Sequence, residues 1–162
     1  MLSRAGKLNL LLKELDWLNI GTFEQRKILQ KSVFILKQMG LTFEYPYNWY
    51  LHGPYSPSLA DDAYEITYNE EKYNTESSKY HFKEQTKEKV DKFKDIFKGR
   101  EKDEDWLELV SSLLFLRKSY GVTGEQLKSL LIDRKKHFGK QPDLVNEAME
   151  FVDRHFPTNL TL

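Results

Sequence analysis

The hydrophobic positions near the start of the chain recur every three or four residues. Leu8, Leu11, Leu12, Leu15 and Leu18 share one face of a helix that the pattern carries to Asn19, with Gly21 as its stop. Thr22 and Gln25 then stand at the spacing of a capping box, in which the hydroxyl accepts from the third amide and the glutamine reaches back to the cap. Ile28, Leu29, Val33, Leu36 and Met39 give this second helix a broad apolar face, and Gly40 is placed for a left-handed stop. From Tyr45 to Leu51 the pattern changes to a rough alternation of aromatics, which predicts a short strand broken by His52-Gly53-Pro54. Alternation would put Tyr47, Trp49 and Leu51 on one side and Tyr50 with His52 on the other. Ser56 is a ready cap for a third helix with Pro57 at its first position and Leu59, Ala63 and Ile66 inward. A polar centre at residues 74–78, flanked by Tyr73 and by Tyr80-His81-Phe82, predicts a small hairpin within residues 68–82.

The second half reads as helical throughout. Val90, Phe93 and Phe97 mark a fourth helix ending at Gly99, and a charged linker covers residues 100–105. Trp106, Leu109, Val110, Leu113, Leu114, Leu116 and Tyr120 make a strongly apolar fifth helix closed by Gly121, the expected centre of the core. Thr123 and Gln126 repeat the capping-box spacing ahead of a sixth helix lined by Leu127, Leu130, Leu131 and Phe138 and stopped by Gly139. Pro142-Asp143 opens a seventh, with Val145, Ala148, Met149, Val152 and Phe156 inward. The fold class is therefore mainly α. A winged-helix-like part with a short strand and small hairpin (residues 1–83) packs on a helical part (residues 84–157), all within one domain of 162 residues. Helix, helix, strand, helix, hairpin is the element order of a winged helix.

Charge removes several function classes. Basic and acidic residues balance at 25 each, so the chain has no global attraction for nucleic acid or an anionic membrane. The longest apolar runs, residues 33–36 and 113–116, fall far short of a membrane span. Lys13, Glu14 and Asp16 interrupt the apolar stretch Leu10 to Leu12, so no signal peptide is expected. The lack of cysteine removes disulfides, thiolate nucleophiles and cysteine-ligated zinc, and fits a cytoplasmic location. His52, His81, His137 and His155 are too widely spaced to form a ligand pair on one helix, and no metal is expected. Phosphate-cradling glycine patterns and a nucleophile elbow are both missing, so neither a cofactor nor a catalytic residue is assigned. His52 beside Tyr55 or Ser56 has the composition of a base with a partner. The plainer reading is that Gly53 and Pro54 turn the chain, Tyr55 packs and Ser56 caps.

Three pieces of the first half form a recognisable set: Leu29-Gln30-Lys31, then Trp49-Tyr50, then Gly53-Pro54-Tyr55-Ser56-Pro57-Ser58-Leu59. Over roughly residues 25–66 the chain resembles two related groups of small prokaryotic proteins, the YwgA-like family and the Panacea domain, the latter typified by the SocA proteolytic adaptor and by toxin-neutralising antitoxins. The resemblance implies a non-enzymatic protein that works by binding another protein, and it carries no catalytic residues.

Two surfaces compete for the partner. Trp49, Tyr50, His52 and Tyr55, rimmed by Asp61, Asp62 and Glu65, would form an aromatic patch edged with acid, suited to a basic protein. The alternative is a winged-helix DNA-binding transcriptional regulator. Its usual reading helix would be the third, which has three carboxylates and no Lys or Arg to meet phosphates. Nucleic acid would then have to lie on Arg134, Lys135, Lys136 and Lys140. A second basic group, Arg26-Lys27-Lys31, reads as ordinary helix surface diluted by Glu24.

Overall fold

The computed structural model describes residues 1–158. Among them are eight α-helices, a short 3-10 helix and one two-stranded antiparallel hairpin, so the fold is mainly α as the hydrophobic pattern predicts. No described helix is long and apolar enough to cross a membrane.

Helix α1 (Arg4–Glu14) is capped by Ser3, whose hydroxyl accepts from the Gly6 amide at 3.0 Å. It ends earlier than its leucine pattern. Leu15 and Leu18 stay buried in the following turn, which is closed by a Leu18 to Leu15 backbone bond. Helix α2 (Phe23–Gln38) starts with both arms of the Thr22–Gln25 capping box in place, and Gly40 follows it at φ 104°. Every residue from Leu29 to Leu36 is buried, so α2 is enclosed on all sides rather than along one face. Helix α6 (Glu104–Tyr120) is likewise buried from Trp106 to Leu114. These two helices pack along each other as the central pair, and one continuous core runs from Ala5 to Phe156.

After α2 the chain is extended before it is paired. Leu41, Phe43 and Tyr45 point inward while Thr42, Glu44 and Pro46 face out, the two-residue period of an extended chain on a core. Pairing begins only at β1 (Asn48–Tyr50), which runs antiparallel to β2 (Gly53–Tyr55) with Asn48 opposite Tyr55 and Tyr50 opposite Gly53. His52-Gly53-Pro54 therefore turns the strand into a hairpin instead of ending it. Leu51 and His52 keep negative φ, so the reversal is taken up at Gly53, whose φ is 95°. Any larger residue there would meet a second obstacle, because a Cβ would lie 2.9 Å from Ser112 Oγ on α6. Ser56 then caps α3 (Pro57–Tyr68), accepting from the Leu59 amide, with Pro57 in the first turn.

The hairpin expected within residues 68–82 is a helix, α4 (Glu70–Ser77). Tyr73 and Ser77, four residues apart, are its buried positions against α1. The polar centre is used rather than turned: Asn9 Nδ2 donates to Asn74 Oδ1 at 2.9 Å and to Ser77 Oγ at 3.0 Å. Glu70 and Glu71 lie in its first turn, where the helix dipole favours them. The hairpin of this fold thus precedes the third helix, and no wing follows it among the described residues.

The remaining helices are α5 (Glu84–Ile96), α6, α7 (Gly124–Arg134) and α8 (Pro142–His155). Gly121 closes α6 in the left-handed region. Thr123 makes no capping bond, since Gly124 at φ 58° turns the chain away from the box geometry. The sixth helix stops at Arg134, and a 3-10 helix at Lys136–Lys140 buries Phe138 instead. Arg117 Nη2 donates to the Phe156 carbonyl at 2.6 Å and ties the end of α8 to α6.

Candidate functional site

Among the residues of α2 that face the hairpin is Gln30. Its Nε2 donates to the Ser56 carbonyl and its Oε1 accepts from the Ser56 amide, both at 2.9 Å and both buried. A backbone N–H can only donate, so this pair dictates which way the amide points. Gln30 thereby joins the Leu29-Gln30-Lys31 stretch to the Gly-Pro-Tyr-Ser corner, which are 26 positions apart in sequence.

Beside this junction lies a cavity of about 310 Å³, between the first half of α2, the hairpin and the first half of α3. Leu29, Pro54, Ala60 and Ala63 supply apolar wall; Tyr50, Tyr55 and Tyr64 supply aromatic wall. Phe23, Tyr50, Leu51 and Tyr64 lie at its edge as exposed large hydrophobic residues, Leu51 being 84% exposed at the hairpin tip. Arg26, Lys27, Lys31 and His52 are its basic lining, and no carboxylate lines it.

Two of these cations are engaged. The Arg26 guanidinium lies 5.0 Å from the Tyr64 ring centre and donates to the Ile20 carbonyl at 3.3 Å. Lys27 pairs with Glu104 at 2.5 Å and sits over Phe23. Lys31 differs. It is 1% exposed, yet its ammonium has no hydrogen bond or ion pair to any described residue. Burial pushes its pKa down to about 8, against the through-space pull of Glu108 and Glu104.

The reason Lys31 goes unpaired is visible on α6. Glu108, 8% exposed, is shared by Lys135 at 3.5 Å and by His137 Nε2 at 3.4 Å. Lys135, 6% exposed, also donates to the Leu51 carbonyl and lies 5.3 Å from the Trp49 ring centre. It anchors the hairpin tip to α6, and burial lowers its pKa despite Glu108. His52 Nδ1 approaches Glu108 Oε1 to 4.0 Å. Burial, then Lys27 and Lys31, push the His52 imidazole below its ordinary range, so at neutral pH it is uncharged and this approach is not an ion pair. Among the described residues no hydroxyl is hydrogen-bonded to His52 or His137, and no cluster of three or more metal-ligating side chains occurs.

The seven residues of the expected partner surface are not brought together. Tyr50, His52 and Tyr55 line the cavity, with the Tyr50 and Tyr55 rings 5.1 Å apart. Trp49 turns inward instead, half-buried on Phe115 and Lys135. Leu51 does not share its side, since it sits at the turn. Asp62 is removed from the surface altogether. It falls on the inner face of α3 with Leu59, Ala63 and Ile66, and is 9% exposed. There it accepts from Arg4 Nε at 2.7 Å and from the Tyr45 hydroxyl at 2.6 Å. Glu65 is exposed but accepts from Asn69 and from the Tyr73 hydroxyl, on the α4 side. Of the three carboxylates only Asp61 is both exposed and uncommitted.

The basic group assigned to nucleic acid is broken in the same way. Lys135 is buried as described, and Arg134 is spent on Tyr120 and Asp133, leaving Lys136 and Lys140 exposed. Conversely, Arg26, Lys27 and Lys31 are not plain helix surface. Glu108 and Gln30 stand within the fully buried stretches of α6 and α2, a position the sequence alone does not reveal, since both helices also carry other polar residues. No family model, curated protein or solved structure matches this chain.

Proposed function

We propose that this protein is a non-enzymatic binding module that takes a segment of another protein at the hairpin cavity. The observation that carries this reading is the ring of exposed Phe23, Tyr50, Leu51 and Tyr64 around an apolar, partly enclosed hollow. Aromatic side chains next to a pocket that excludes water are the usual makings of an interface hot spot. The resemblance of roughly residues 25–66 to the YwgA-like and Panacea groups agrees with it, and directs attention to toxin neutralisation and to proteolytic adaptation as the biological setting. Its matched pieces, Leu29-Gln30-Lys31 and the Gly-Pro-Tyr-Ser corner, are the ones that build the cavity.

The DNA-binding alternative has less support. The outward side of α3 carries Asp61 and Glu65 and no cation, and the basic patch after α7 loses Lys135 to the interior.

The test replaces exposed residues only. A Tyr50→Ala, Leu51→Ser double variant and a control, Asn146→Ala on α8, are used as bait in the source cell, with the fold of each checked by circular dichroism. We expect proteins held by wild type and control to be lost from the double variant. Equal capture by all three baits would reject this surface, and a salt-dependent gel shift in place of protein capture would favour the regulator.

A further inference from the structure

Lys31 lines the cavity, and its ammonium is paired with no described residue. A buried, charged lysine is normally found with a carboxylate, because its solvation has been stripped away. Here the carboxylate next in line, Glu108, is already shared by Lys135 and His137, and Glu104 is taken by Lys27. Lys31 lines the cavity and has no direct partner among the described residues. No carboxylate lines the cavity, and its charged side chains are all cationic.

We propose that this cavity is a carboxylate-binding pocket, in which Lys31 receives the acidic side chain of a partner protein while the apolar neighbours of that side chain rest on Phe23, Tyr50 and Tyr64. This rests on the binding-module reading above and names the chemistry of its partner. It reverses the expectation of a basic partner, which depended on Asp62 being at the surface.

Three observations narrow the occupant. The volume of about 310 Å³ lies at the lower end of ligand pockets, which run to roughly 1,000 Å³, so it suits one or two side chains better than a large cofactor. The walls are mostly apolar, so a bare inorganic anion would leave them unsatisfied. Exposed aromatic and aliphatic groups continue past the mouth to Leu51 at the tip, surface that a small organic acid seated inside would not cover. A phosphate backbone would meet exposed Asp61 on the adjoining helix, whereas a single carboxylate directed at Lys31 would not.

The experiment is an NMR titration of the full chain with three probes. The first is a capped pentapeptide with a glutamate between two leucines; the second is its glutamine twin; the third is phenylbutyrate. We expect the glutamate peptide to shift the amide resonances of Lys31, His52 and Tyr55, and the glutamine twin to bind about tenfold more weakly, the worth of one charge-assisted contact. In Lys31→Met the two peptides should bind alike; Lys31→Gln serves the same purpose if methionine perturbs resonances outside the cavity. Equal binding of the two peptides to wild type, or no binding of either, would overturn the proposal. Lys31-dependent binding of phenylbutyrate without the glutamate peptide would also overturn it, by making the occupant a free organic acid. The binding-module reading fails separately: partner capture that needs Tyr50 and Leu51 but not Lys31 keeps the module and removes the carboxylate.

Discussion

Gln30 offers the sharpest check on how the site is assembled. Its side chain is 4% exposed and its two bonds to Ser56 are the junction between α2 and the corner that starts α3. Gln30→Met keeps the length and flexibility of the side chain and deletes both bonds. The Ser56 carbonyl still accepts from the Ala60 amide at 3.2 Å, so it loses only one of two partners, a net cost of about 1 kcal/mol. The Ser56 amide is left buried and unbonded, at about 1–3 kcal/mol. Together these give about 2–4 kcal/mol, or a melting temperature lower by roughly 4–16 °C for a domain of this size. Gln30→Glu separates the two bonds. One carboxylate oxygen still accepts from the amide, but the other faces the Ser56 carbonyl oxygen, and two acceptors repel unless the acid is protonated. The introduced carboxyl would then titrate above its unfolded value of about 4.3. Above that value the unfolded state is ionised and the folded state is penalised, so the deficit against wild type is largest at neutral pH. It shrinks as pH falls toward about 4.5. The assay is thermal unfolding by circular dichroism of wild type and both variants at about pH 4.5 and pH 7.5. A methionine variant melting with wild type would refute the accounting. So would a glutamate deficit unchanged between the two pH values.

Lys31→Met should be more stable than wild type at neutral pH, since holding an ammonium whose pKa has fallen from 10.5 to about 8 costs about 3 kcal/mol. Between about pH 8 and 10.5 the unfolded chain binds the proton that the folded one has released. Wild-type stability should therefore rise with pH relative to the variant there, and urea titrations across that window read the difference directly. Gly53→Ala should cost about 2–3 kcal/mol, from the positive φ and from the approach to Ser112 Oγ. Adding Ser112→Ala, which removes a buried hydroxyl with no partner, should return the contact share of that cost and not the backbone share, as a double-mutant cycle would measure.

The helices were legible because their signals are local. Thr22 with Gln25, Ser56 with Pro57, and Gly40 and Gly121 each act within one turn, and each occupies its predicted role. Asn74 to Ser78 misled for the opposite reason. A polar run resembles a turn, and its partners on α1, the Asn9 amide among them, lie far away in sequence. Asp62 was unreadable on the same grounds. Beside Asp61 it looks like half of a surface acid pair, whereas the helical period puts it inward, and its partners Arg4 and Tyr45 come from two other segments. Burial also pushes the Tyr45 hydroxyl far above its ordinary range, which keeps it a proton donor to that carboxylate. An Asp62→Lys substitution would consequently test the fold rather than the partner surface. Within the site, Tyr50, His52 and Tyr55 were found because they sit on the hairpin itself. Lys31 and Glu108 were hidden, since a charged residue in a helix is ordinarily read as solvent-facing.

The two central helices divide their polar residues between structure and vacancy, and the division follows from counting charges. Glu108 is shared by Lys135 on one oxygen and His137 on the other. Lys135 gives another of its three donors to the Leu51 carbonyl and so ties the hairpin tip to that carboxylate. The arrangement costs stability at the desolvated Lys31 ammonium, and it places at the turn a glycine that no larger residue could replace without strain. Neither feature strengthens the core, and both face the same hollow. In the proposed binding mode a partner carboxylate would relieve the first of these features, the cost of the Lys31 ammonium, at the place where exposed aromatic residues already surround it.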